Sequence, residues 1–360
     1  MENLVYSVGA AIIGLGLLIV FHEFGHFLLA KLCGVGVLTF SVGFGPKLWV
    51  KKKGETEYAL SAFPLGGYVK MVGEDPDEEV RPEDVEKSFA HKSLLKRIAI
   101  VVAGPGFNLL LALFLLMIVF TFYGVPVMST QVSGVEKGSP AERAGIAKGD
   151  RIVAIDGKPV KEWDELSRTI KASGGKPLNL QISRGSETVS LTVQPIQKEG
   201  RTVFGERKDD WIIGIGSQVS IEKGNPGLAV VRAFYQTYDY SKLTLVALFK
   251  MISGDVSPRN IGGPILIAQM AGQQAQEGLG SFLAFLAVLS INLGVLNLLP
   301  VPVLDGGHLL FFLVEAVIRK PVSVKYREMA QQVGICLLAL LMIYAFYNDI
   351  VRFFEKQVGG

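Results

Sequence analysis

The chain has 360 residues, of which 49% are hydrophobic and only 19% charged. Its mean hydropathy of +0.38 is too apolar for an ordinary soluble domain. Glycines without a triplet period and a cysteine count of 2 exclude collagen-like and disulfide-stapled chains, and the apolar content excludes disorder. The near-balanced net charge of +3, with no dense basic face, gives no reason for a nucleic-acid partner; the partner implied is a lipid bilayer. Cys33 and Cys336 lie at the edge of or inside apolar runs and read as small buried hydrophobes.

A hydrocarbon core about 30 Å thick needs about 20 helical residues. The first run of that length, from about Leu4 to Ala30, is uncharged until Glu23. Its acidic Glu2 and its length argue against a signal peptide, so it is expected to be retained. Next, Val35–Phe44, Thr56–Phe63 and Pro64–Lys70 read as strands. A second run, about Ile98 to Tyr123, contains no charge at all. From about Val125 to Pro195 the chain becomes mixed in charge, with alternating apolar positions and Gly and Pro turns, the pattern of a small soluble domain. Gly138-Ser139-Pro140-Ala141-Glu142-Arg143-Ala144-Gly145-Ile146, the Gly149-Asp150 turn and the Asp156-Gly157 hairpin signal resemble a PDZ domain. Such domains add an extended peptide to a sheet edge beside a helix, here expected at Trp163–Ala172; no carboxylate-binding loop is legible before Val132. About Pro226 to Gly254 the apolar residues are interrupted by Arg232, Asp239, Lys242 and Lys250, which suits an amphipathic helix on the membrane surface.

A third span begins near Phe282 and meets Pro300 and Pro302, which must interrupt it. The fourth, about Val333 to Tyr347, is short. Lys31, Lys47, Lys51, Lys52, Lys53, Lys92, Lys96 and Arg97 lie between the first two spans, and Arg319, Lys320, Lys325 and Arg327 between the last two. Both loops are therefore expected in the cytoplasm, leaving the N-terminus, residues 124–280 and the C-terminus outside; Arg352 and Lys356 run against the rule.

The chemistry lies where water should be scarce. His22-Glu23-Phe24-Gly25-His26 closes the first span. Residues i and i+4 share a helix face, so both imidazoles can hold one Zn²⁺ while Glu23 reaches the attacking water. Ionisable groups inside a span cost a few kcal/mol each, which makes three of them in five positions a functional signal. Catalytic zinc takes a third protein ligand. Asp305, after the prolines of Asn297-Leu298-Leu299-Pro300-Val301-Pro302-Val303-Leu304-Asp305-Gly306-Gly307-His308, is the leading choice, with His308 its rival. His91 reads as an ordinary loop residue.

Together the H-E-x-x-H span, the N-x-x-P-x-x-x-L-D-G stretch and the PDZ-like insert resemble the site-two protease (M50-type) family of intramembrane zinc metalloproteases, in its bacterial regulator-of-sigma-E-protease branch, over nearly the whole chain. The resemblance implies His22, His26 and Asp305 as zinc ligands, Glu23 as catalytic base and Asn297 as a substrate-positioning residue. Gly104-Pro105-Gly106-Phe107-Asn108 is similar to the family's G-x-x-x-N element, adding Asn108. The strands after the first span are similar to the family's membrane-reentrant β-loop, with Gly66 and Gly67 positioned to receive substrate. Implied substrates are single-span proteins already trimmed outside, such as anti-sigma factors, or signal-peptide remnants, cut in the bacterial inner membrane. One PDZ copy departs from the tandem pair of enteric relatives; 200–218 is too short for another. The fold class expected is a polytopic α-helical membrane protein of four transmembrane helices, the third discontinuous, with a cytoplasmic-side membrane-associated β-loop and an inserted α+β PDZ-like domain. The divisions are 1–124, 125–197, 198–280 and 281–360.

Overall fold

The computed structural model describes residues 2–74, 80–201, 207–222, 226–320 and 322–358. In chain order it holds α1 (Glu2–Leu32), β1 (Val37–Lys53), β2 (Thr56–Met71), α2 (Leu94–Phe122), β3 (Val125–Val135), α3 (Pro140–Arg143), β4 (Arg151–Ile155), β5 (Lys158–Pro159), α4 (Trp163–Ala172), β6 (Leu178–Arg184), β7 (Glu187–Val193), β8 (Ile196–Arg201), β9 (Arg207–Ile212) and β10 (Ile215–Glu222). Then follow α5 (Pro226–Ile252), α6 (Pro264–Glu277), α7 (Leu279–Asn297), α8 (Asp305–Ile318) and α9 (Val324–Val358). Two compact units result, one of the described residues in 1–119, 226–249 and 257–360, the other of those in 120–225 and 250–256.

In the first unit, α1, α2, α7 and α9 are long and apolar enough to cross a membrane. They leave side chains such as Ile13, Leu110, Phe114 and Leu340 exposed, a surface costly in water and ordinary against lipid tails. Tight helix approach comes from missing side chains. A Cβ on Gly25 of α1 would collide with the Ala103 carbonyl of α2, and one on Gly294 of α7 would lie 3.0 Å from the Pro105 carbonyl. As the prolines require, α7 stops at Asn297, a turn covers 298–304, and α8 restarts at Asp305.

Three features add to or depart from the hydropathy reading. The last helix runs for 35 residues rather than the 15 or so apolar ones, because its polar flanks continue the helix beyond the greasy segment. One flank residue, Asp349, is buried and accepts the N–H groups of Gly263, Ile265 and Leu266 at 2.9–3.0 Å, capping α6, an element the sequence did not single out. The charged α5 bonds Thr244 Oγ1 to Asn292 Oδ1 of α7 at 2.7 Å, so its C-terminal half is tied to the side of that span.

The β1–β2 hairpin folds over itself. Residues 39–42 of β1 pair both with 57–60 and with 67–70 of β2, while 47–53 pair with 56–61. Among the described residues no further strand pairs with 67–71 on its far side.

In the second unit the sheet order is β10-β3-β4-β6-β7, with β5 on β4 and a separate β8–β9 ribbon. Its core is Val132, Ile152, Leu166, Leu180 and Ile182, none with measurable exposure. Asp156 and Gly157 both have positive φ, 48° and 79°, as an Asp-Gly hairpin demands. The unit extends past residue 197, where the sequence reading ended it, because β10 pairs antiparallel with β3 through Ile215–Val135. Most of β10 is exposed, its alternating Val219 and Ile221 included, so the alternation there points to no core that would tie it to this unit. Part of the stretch 200–218, residues 202–206, lies outside the described residues.

Candidate active site

Two α-helical turns and one interrupted span converge. On α1, His22 and His26 stand one turn apart with Nε2 atoms 3.2 Å from each other. The turn at 298–304 delivers Asp305, the first residue of α8, with Oδ2 3.2 Å from His22 Nε2 and Oδ1 3.4 Å from His26 Nε2. Gly306 and Gly307 permit this approach, since a Cβ on either would strike the carbonyls of Leu298, Leu299 or Val301. The three ligand atoms lie within 4.8 Å of one another.

Whether this cluster suits a cation is decided by its protons. His26 Nδ1 lies 2.9 Å from the Ile100 carbonyl, which only an N–H can satisfy, so Nε2 carries the bare lone pair. His22 Nδ1 lies 3.1 Å from the Asn108 amide, whose Oδ1 is buried with no partner. Turning the amide so that Oδ1 accepts from Nδ1–H satisfies that oxygen and frees Nε2 of His22 as well. Two imidazole lone pairs and a carboxylate then face one point with no proton among them, an arrangement that a divalent metal satisfies. Gly104 of α2 lines the back of this point, where a Cβ would fall inside the envelope of both imidazoles.

Glu23 stands beside the cluster, half-buried, and shares the wall of one cavity with Tyr68 and Val69 of β2. A Cβ on Gly67 would lie 3.2 Å from Glu23 Cγ, so β2 runs directly past the carboxylate; Gly66 packs under the Phe44 ring. A cavity of about 320 Å³ opens here, lined by His22, Glu23, Tyr68, Val69, Asn297 and Asp305 among others.

The other expected residues separate by place. Asn297 lines the cavity, its Nδ2 3.5 Å from His22 Nδ1. Asn108 was expected to position substrate; it is wholly buried behind His22 and holds that ring instead, its own carbonyl accepting from Ser290 Oγ at 2.7 Å. His308 lines the cavity but has no part in the three-atom cluster. His91 bonds Ser88 at 3.0 Å and does not line it. Sequence reasoning missed Glu74 and Arg327 as cavity-lining groups, because neither sits in a motif or at helical spacing from one.

The second unit has its own groove of about 340 Å³ between Trp163, Leu166 and Ile170 of α4 and the segment Ile213-Gly214-Ile215 leading into β10. This segment lies some 80 residues after Val132, where no sequence signal directed attention.

Helices fit to cross a membrane and a half-buried His-His-Asp cluster with an adjacent glutamate define a membrane-embedded peptidase class. The chain matches the model of Peptidase family M50 over residues 10–341, and it belongs to that family. It is 38% identical to a protein of Rhizobium meliloti named as a candidate zinc metalloprotease, with 97% of this chain and 98% of that one covered. Identity is 33% to Protease RseP of Yersinia pestis, over 98% of this chain and 100% of the relative. It is 32% to the Regulator of sigma-E protease RseP of Salmonella typhimurium, with the same coverage.

Proposed function

We propose that this chain is an intramembrane zinc metalloprotease that hydrolyses peptide bonds within or near the spans of trimmed single-span proteins. The convergence of two imidazole lone pairs and one carboxylate beside Glu23 carries this reading, and the zinc metalloprotease names of the relatives support it. His22, His26 and Asp305 would hold the ion, which supplies Lewis acidity toward the scissile carbonyl and toward water. Glu23 accepts the proton of the attacking water and returns it to the leaving amine. Asn297, facing the same cavity, is suited to hold the substrate carbonyl. A helical substrate hides its carbonyls in i to i−4 bonds, so it must be unwound before attack. The open edge of β2 at residues 67–71, with Gly67 bare beside Glu23, offers it an extended partner.

The sigma-E regulator name of a relative fits the anti-sigma-factor-type substrate that the family resemblance implies, with signal-peptide remnants next. The Lys and Arg distribution supports a cytoplasmic-side active site and an outward PDZ-like unit. The alignment to the Salmonella relative runs to 456 positions, longer than this chain, which agrees with a second insert there and a single one here. The groove beside α4 suits an extended peptide, and the unit as a whole suits a size filter.

The test is cleavage of a trimmed and an untrimmed single-span substrate by wild type and Glu23→Gln, with zinc measured on both. Expected are cleavage of the trimmed substrate alone, and about 10²-fold or greater loss in the variant at unchanged zinc content. A wild type that holds zinc and cuts no trimmed span would overturn the reading in favour of a zinc-stabilised binding module. Equal cleavage of both substrates would remove the filter.

A further inference from the structure

Arg327 brings an unmatched charge into the catalytic cavity. It sits in the first turns of α9 and lines the same cavity as Glu23 and Asp305. Among the described residues its guanidinium has no hydrogen-bond or ion-pair partner, and its Nε is buried without an acceptor. The neighbouring Arg97 also has a buried Nε without an acceptor, but its terminal nitrogens are paired, and there the two arginines differ. Arg97 forms a bidentate pair with Glu315, one arm at 3.1 Å, and lies 4.9 Å over the Phe312 ring. Glu315 is thereby committed, and the pair is neutral as a whole. Glu74, the other acid on the cavity wall, accepts the Met71 N–H at 3.0 Å. Glu23 and Asp305 belong to the hydrolytic centre. A half-buried cation left over in this way costs free energy until an anion joins it.

We infer that Arg327 is a specificity-determining residue that receives a substrate carboxylate, from an acidic side chain flanking the scissile bond. The planar guanidinium fork matches a carboxylate through two parallel hydrogen bonds, and the cavity places it near the reacting centre without making it part of that centre. The inference rests on the protease reading above. It assigns a sequence preference to a site whose other wall is backbone, and backbone pairing alone carries none.

The test uses the full-length protein in phosphatidylcholine vesicles, with single-span substrates in which one Asp is moved residue by residue along both flanks of the scissile bond. Each is compared with its Asn and Lys counterparts in kcat/KM. Wild type is expected to prefer Asp over Asn by about tenfold or more at one flank position. Arg327→Gln should bring that ratio to about one, and Arg327→Glu should turn the preference toward Lys, which also shows that the variant is folded. The same Asp-to-Asn ratio in wild type and Arg327→Gln overturns the assignment. So does stimulation of wild type, but not of Arg327→Gln, by added phosphatidylglycerol without any Asp preference, because the anion is then a lipid phosphate. A zinc-loaded wild type that cuts no member of the series fails the protease reading itself, whereas cleavage without preference fails only the role of Arg327.

Discussion

Asn108 of α2 and His22 of α1 meet at 3.1 Å, and their contact decides which nitrogen of the histidine faces the metal point. The amide is wholly buried, so no water can replace it. Asn108→Ala should leave the helices in place and weaken zinc binding by about 10- to 100-fold, because His22 loses the partner that fixes its tautomer. Competition with a chelator reads this directly; unchanged affinity would show that His22 is oriented by Asn297 alone.

Gly104 and Gly106 lie two residues apart on α2 and predict opposite outcomes. A Cβ at 104 enters the space of both imidazoles, whereas a Cβ at 106 meets nothing within 4 Å. Gly104→Ala should therefore lose bound zinc and cleavage together, while Gly106→Ala keeps both. Metal content by elemental analysis separates the two, and retained zinc in Gly104→Ala would mean that α1 and α2 can move apart there.

Asp349 ties the last span to α6 through three backbone N–H groups. Asp349→Ala leaves those donors buried without an acceptor and should cost about 1–2 kcal/mol, as for loss of a helix cap. Thermal unfolding in detergent should show a lower midpoint, with Asp349→Asn in between because its amide oxygen still accepts.

In the second unit Asp150 is buried, and the Arg184 guanidinium, bonded to both its oxygens at 2.8 Å, holds its carboxyl below the usual range, helped by the Ala147 N–H. A carboxyl depressed on folding contributes stability that is complete above about pH 5 and is lost as pH falls below the ordinary Asp value of about 3.9. Hydrogen exchange of β4 and β6 should accordingly rise below about pH 4 in wild type. In Asp150→Asn it should already be raised at pH 7, by an amount worth about 1 kcal/mol, the half-exposed Arg184 keeping the figure small. Identical exchange profiles would dissociate the ion pair from the stability of this unit.

Much of the site was legible in the residues themselves. Spacing of four puts His22 and His26 on one helix face whatever surrounds them, and charge within an apolar run marks function because lipid penalises it. Pro300 and Pro302 announce a broken span because a missing N–H is a local fact. What the chain order cannot express is approach between segments far apart. Asp305 and His308 are both acceptable ligands on paper, and only the turn at 298–304, closed on the bare Gly306 and Gly307, brings Asp305 alone into the cluster. The partner of His22 sits 86 residues away, and β10 joins β3 across some 80 residues by backbone pairing, with its alternating Val219 and Ile221 left exposed. Arg327, read from sequence as one more positive residue of a loop, becomes a wall of the catalytic cavity only because α9 comes up against the 298–304 turn, with Gly334 beside Val303. Local propensity and burial are written residue by residue; the pairing of distant polar groups is settled by which backbone can come close, and here that is decided largely by the side chains glycine lacks.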